Sequence, residues 1–150
     1  MFSQNEQALL RAVIDRIMPA DDFPPASGLG ALDYILPMLS GDSAADAEPI
    51  RYGLQEFDRA GFLGKSPSEQ DAMLASVETA SWFRRLVELT AEGVYADPSN
   101  GGNRDTAGWR MIGFPGARYD YRDYVAKHGQ KFPLPPVALQ GRPGWNVQEG

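Results

Sequence analysis

The chain has 150 residues, 43% of them hydrophobic, no cysteine, one histidine and a net charge of -6 from 14 basic and 20 acidic side chains. That length carries one hydrophobic core of its own, and the missing cysteines exclude disulfides, thiolate catalysis, haem attached through Cys-x-x-Cys-His and cysteine-held iron–sulfur or zinc centres. The acidic balance argues against a basic stripe for phosphate backbones, so no nucleic-acid partner is expected.

The first twenty residues are polar and then amphipathic, without the basic front and apolar run of a secretory signal and without a twin-arginine pair. No stretch approaches the roughly 18 apolar residues that cross a bilayer, so no direct membrane insertion is expected. A cytoplasmic location follows as the expectation. The alternative is a periplasmic one, reached on a partner's export signal or as a mature form.

Ser3 followed three residues later by Glu6 predicts a capping box, and Leu9, Leu10, Val13, Ile14 and Ile17 continue at helix spacing until Pro19. A turn-rich connection, Asp21 to Gly28, precedes a second stripe of Leu32, Ile35, Leu36 and Leu39, in which Pro37 is expected to shorten or kink the helix. A third helix is predicted over about Ala44 to Ala60, with Gly61 as its stop and Pro49 obscuring its start. Ser66, Pro67 and Glu69 open a fourth, and a fifth runs from about Ser81 to Tyr95. No segment alternates as a strand would.

From Gly93 the composition changes. The last 58 residues hold 10 of the 16 glycines, 6 of the 12 prolines and 8 of the 16 aromatic residues, and their net charge is +2 against -8 for the residues before them. Aromatic rings at this density argue for order. The reading is therefore an all-α single domain over residues 1–150: a helical body of about five helices (1–95), a long ordered loop rich in glycine, proline and aromatics (96–124), and an extended C-terminal arm (125–150).

Chemistry is sparse. In the run Gly93 to Gly116, Asp97, Pro98, Asn100, Gly101 and Gly102 are turn residues, and Asn103 and Asp105 are placed to bond neighbouring amides and fix a helix-ending loop tied down by Trp109. A cation site built on Asp97, Asn100, Asn103 and Asp105 is the sharper alternative, but alternate positions after Asp97 hold Ser99 and Gly101, and no glutamate closes the loop. Gly28-x-Gly30 is followed by Asp33 where a dinucleotide fingerprint needs its third glycine. His128 has no Gly-x-Ser-x-Gly elbow to serve, and adjacent Asp21 and Asp22 suit cap and turn roles.

The run Gly93-Val94-Tyr95-Ala96-Asp97-Pro98, then Gly101-Gly102-Asn103, Gly108-Trp109 and Pro115-Gly116, resembles the signature of the gluconate 2-dehydrogenase subunit 3 family. Ile17 to Asp22 with Pro25 and Ala26 is similar to that family's helix-ending motif, Arg51-Tyr52-Gly53-Leu54 to its central helix, and Phe62 through Gln70 to the helix start that follows. The resemblance implies a non-catalytic accessory subunit of a flavin-dependent sugar or sugar-acid dehydrogenase of the glucose-methanol-choline type, supporting folding, stability or export of the catalytic subunit. FAD is then expected in that partner and no cofactor, catalytic residue or metal ligand in this chain, with a cytochrome subunit as a further possible partner. Tyr95, Asp97, Pro98, Gly101, Gly102, Asn103, Gly108, Trp109, Pro115, Gly116 and Tyr119 are the expected partner-binding or loop-defining residues, with Tyr95 and Trp109 as anchors. The alternative is a stand-alone helical protein that binds a metal ion or small molecule, or hydrolyses one, through the Asp97 to Asp105 loop.

Overall fold

Six α-helices form among the residues that the computed structural model describes, which are 1–117, 122–127 and 129–139. They are α1 (Gln4–Ile17), α2 (Ala31–Met38), α3 (Ala44–Arg59), α4 (Pro67–Ser76), α5 (Ser81–Tyr95) and α6 (Ala107–Ile112). The first five match the helices expected from periodicity, and α6 is an addition inside the loop. Among the described residues strand-type pairing is limited to one isolated parallel bridge between Gly116 and Val137.

Local chemistry sets the clearest helix starts. The Ser3 hydroxyl accepts from the Glu6 amide at 3.3 Å, and the Glu6 carboxylate accepts from the Ser3 amide at 2.7 Å, closing the capping box of α1. That backbone bond is the main cause holding the Glu6 carboxyl below its ordinary range, and the Arg51 guanidinium adds to it. Ser66 and Glu69 repeat the arrangement at the start of α4, with Pro67 in the first turn.

The core lies where α1, α2, α3 and α5 converge. Leu10, Val13, Ile14, Ile35, Ile50, Leu54, Leu86, Leu89 and Val94 are all at 0% exposure. This burial explains how two prolines sit inside helices. Pro49 costs α3 about 3 kcal/mol, but Ile50, Leu54 and Phe57 bury almost completely in the following two turns, each contributing about 2 kcal/mol. Pro37 lies one residue from the end of α2, which stops at Met38 after eight residues.

Small residues let the helices approach. A Cβ on Gly53 would stand 2.4 Å from the Trp82 ring, so the glycine in Arg51-Tyr52-Gly53-Leu54 is the seat of that indole. Trp82 in turn meets Phe57 and Phe83 edge-on at 5.7 and 5.6 Å. Arg51 of the same run reaches Glu6 at 3.1 Å and lies over the Phe2 ring at 4.7 Å, which ties α3 to the amino terminus. Between α2 and α5, the Tyr34 hydroxyl donates to Glu92 at 2.9 Å. Burial and that carboxylate push the Tyr34 hydroxyl's pKa up. Arg85 donates to Asp46, Glu88, Glu92 and the Ser43 hydroxyl at 3.0–3.1 Å, an arrangement that holds its proton more firmly than usual.

Candidate functional site

An α-helix ends with carbonyls that have no helical donor, and they must find others. In α5 those carbonyls are answered by the loop that follows. The Asn103 amide donates to Gly93 O at 2.8 Å, the Asn103 side-chain amide to Ala96 O at 2.8 Å, and the Trp109 indole N–H to Tyr95 O at 2.6 Å. The Asn103 Oδ1 accepts from the Gly108 amide at 2.9 Å, so this one fully buried side chain joins the end of α5 to the start of α6. The loop from Ala96 to Gly108 is thus the C-cap of α5 on an enlarged scale.

The glycines of the run are spaces as much as turns. A Cβ on Gly102 would lie 2.0 Å from Gly93 O, and one on Gly108 2.0 Å from Val94 O. Backbone packs on backbone at both positions, and any side chain would force the loop off α5. Gly101 has φ +99 and lies against the Asp33 carbonyl, the one that Pro37 leaves without its helical donor. Asn103, Asp105 and Thr106 also have positive φ, of 46°, 54° and 55°, a conformation that asparagine tolerates better than threonine does. Such residues persist only where surrounding contacts fix them. Here the Arg104 amide donates to Leu29 O at 2.8 Å, and the Arg104 guanidinium to Asp33 at 2.7 Å.

Asp97 fastens both ends of the segment. One carboxylate oxygen accepts from the Ser99 amide at 2.9 Å, with Pro98 opening the short 3-10 turn Pro98–Asn100, and the other accepts from the Leu139 amide at 2.9 Å. The segment 131–139 therefore returns to the loop. Ala117 N–H donates to Val137 O at 2.7 Å, and Val137 N–H to Pro115 O at 3.3 Å, beside the buried Gly116. The oxygens that a cation site would use at Asp97 and Asn103 are engaged by amides of Ser99, Leu139 and Gly108. The Gly28-x-Gly30 turn is likewise engaged, by Arg104 through Leu29 and Asp33, and Gly30 caps α2 without a preceding strand among the described residues.

The loop presents a surface of its own. Trp109 is buried at 4% exposure and holds Phe114 edge-on at 5.1 Å, whereas Phe114 and Ile112 stand 44% and 57% exposed. Leu134, from the returning segment, is 45% exposed. Between α6 and that segment lies a groove of about 560 Å³ that is partly open to solvent.

A family model described as Gluconate 2-dehydrogenase subunit 3 matches residues 4–116, three quarters of the chain. The chain belongs to that family. A search of curated proteins and a search of solved structures each found no match. The matched region ends at Gly116, where the returning segment pairs, so it takes in all six helices and the whole cap of α5. This family membership makes the chain one subunit of a gluconate dehydrogenase complex.

Of the expected site residues, Tyr95, Asp97, Pro98, Gly101, Gly102, Asn103, Gly108, Trp109, Pro115 and Gly116 come together in this one assembly, and Tyr119 lies outside the described residues. So do Tyr121, His128 and Trp145. The Trp109 and Tyr95 rings, expected as anchors for a partner, pack within this chain: Trp109 is buried under Phe114 and Tyr95 is half-buried against the core. Sequence reasoning missed the exposed trio Ile112, Phe114 and Leu134 and the part of Phe23, which lines the groove from the turn after α1. Nothing in the spacing of residues 23, 114 and 134 announces that they meet. Asn103 beside two glycines was the available signal for the cap.

Proposed function

We propose that this chain is the non-catalytic small subunit of an FAD-dependent sugar or sugar-acid dehydrogenase of the glucose-methanol-choline type, and that it supports folding, stability or export of the catalytic subunit. FAD is held by that subunit, and the loop between Tyr95 and Gly116 is the docking element. The observation that carries this reading is the exposed pair Ile112 and Phe114, set on a loop that Asn103, Trp109 and three glycines hold to a single path. Rigid apolar groups on a preorganised support lose little entropy on association, which favours a permanent partner. Membership of a family of dehydrogenase subunits supports a dehydrogenase chain as that partner.

Purification of the tagged full-length chain from its native host tests the proposal. A flavin-containing oxidoreductase chain is expected to accompany it in equal amount, and deletion of this chain should lower the soluble, flavin-loaded partner at least several-fold. A chain that purifies alone, with dehydrogenase yield unchanged by its deletion, overturns the reading.

A further inference from the structure

The groove beside α6 has a chemistry more specific than an apolar patch. Its walls come from Phe23, Trp109, Phe114 and Leu134, and its charged lining among the described residues consists of Arg110 and Lys131. Both cations are exposed, in a chain whose net charge is -6. Arg16, Arg51, Arg85 and Arg104 each hold a carboxylate, but among the described residues none pairs with Arg110 or Lys131. Prolines at 133, 135 and 136 remove backbone donors from the wall. An occupant adding itself as a strand would find few partners there, so recognition falls to side chains.

We propose that this groove seats an extended segment of the catalytic subunit in which an aliphatic or aromatic residue enters between Phe114 and Leu134 and neighbouring Asp or Glu carboxylates meet Arg110 and Lys131. The proposal rests on the accessory-subunit reading and adds to it the site and the chemistry of the contact. A volume of about 560 Å³ accommodates several side chains, which suits a peptide segment. Two cations that no carboxylate among the described residues engages, at the edge of an apolar trough, orient such a segment and speed its capture, an effect that salt screens.

A photoreactive phenylalanine analogue placed at Leu134 in the full-length chain, co-expressed with the catalytic subunit, tests this directly. Mass spectrometry should find it cross-linked to a segment of that subunit with carboxylates within a few residues of an apolar side chain. The double reversal Arg110→Glu with Lys131→Glu should weaken association about tenfold at low ionic strength, with the deficit shrinking as salt rises and helix content unchanged. If the complex forms but the cross-link falls on residues 140–150 of this same chain, on a segment without carboxylates or nowhere, or if the double reversal leaves association unchanged, the groove proposal is wrong and the accessory role stands. If no flavoprotein accompanies the wild-type chain, both fall.

Discussion

Between Gln4 and Tyr95 the chain is held by apolar side chains repeating at helix spacing, whereas between Ala96 and Ala117 it is held by specific hydrogen bonds to the backbone, several of them made by the side chains of Asp97, Asn103 and Trp109. In the body, Leu10, Val13 and Ile14 belong to one continuous buried apolar cluster together with residues of α3 and α5. In the loop, Asn103 makes bonds at its amide, its Oδ1 and its Nδ2, and Gly102 and Gly108 leave no space beyond a hydrogen. The first kind of stability tolerates substitution by residues of similar volume, and the second does not. A docking surface benefits from the second kind, because it must hold one shape while its own exposed rings gain nothing from burial until a partner arrives.

The largest effect that separates the two regions is expected in the body. Phe62 is fully buried, stacks on Phe57 at 5.1 Å, and its carbonyl accepts from the Gln70 side chain at 2.9 Å. Phe62→Ala should cost about 4 kcal/mol, read as a fall in the midpoint of urea unfolding with the loss shared by all helices. A loss under about 1 kcal/mol would mean that the junction of α3 and α4 repacks freely.

Gly102→Ala is the corresponding break in the loop, expected at about 3 kcal/mol because the new Cβ meets a carbonyl and not a movable side chain. Its signature should be local. The Asn103 and Gly108 amides should lose hydrogen-exchange protection while the buried turns of α1 keep theirs. Gly64→Ala, with no atom within 4 Å of the added carbon, is the control and should shift stability by less than about 0.5 kcal/mol. Equal effects at the two positions would remove the claim that close approach shapes the loop.

This contrast also accounts for what could be read from the sequence. Helix periods and the Ser3 and Ser66 capping boxes are local signals, so α1 to α5 were legible to within a residue or two. Pro37 and Pro49 were harder, because their cost is offset by burial in helices that the sequence does not place beside them. The loop showed its importance through glycine, asparagine and tryptophan, but not its partners: that Asn103 answers Gly93 and Ala96, or that Leu139 returns to Asp97, depends on where the chain ends up in space. The exposed side of the site was least legible of all. Trp109 is the residue expected to tie the loop down, but that Phe114 stands exposed beside it, facing Leu134 across a groove, is decided only by the fold.

Acid should loosen the two regions in order, and this is the smallest of the expected effects. The Glu6 carboxyl is held below its ordinary range chiefly by the Ser3 amide, Glu69 by Ser66, and Asp71 by the Arg16 guanidinium at 2.6 Å. Each of these groups has a lower pKa folded than unfolded, so the unfolded chain binds more protons as pH falls through the window between the two values. Their stabilisation is therefore complete above the ordinary carboxylate range and is lost progressively below it. All three sit on α1 or α4, whereas the bonds joining Gly93, Tyr95 and Ala96 to Asn103 and Trp109 involve no titrating group. Hydrogen exchange followed from pH 6 downward, corrected for the intrinsic rate, should show the first turns of α1 and α4 opening before the Gly108 amide. Glu6→Gln should flatten the acid dependence of α1 without changing that of the loop. Earlier opening at Gly108 would place the acid-sensitive contacts in the loop and reverse the assignment.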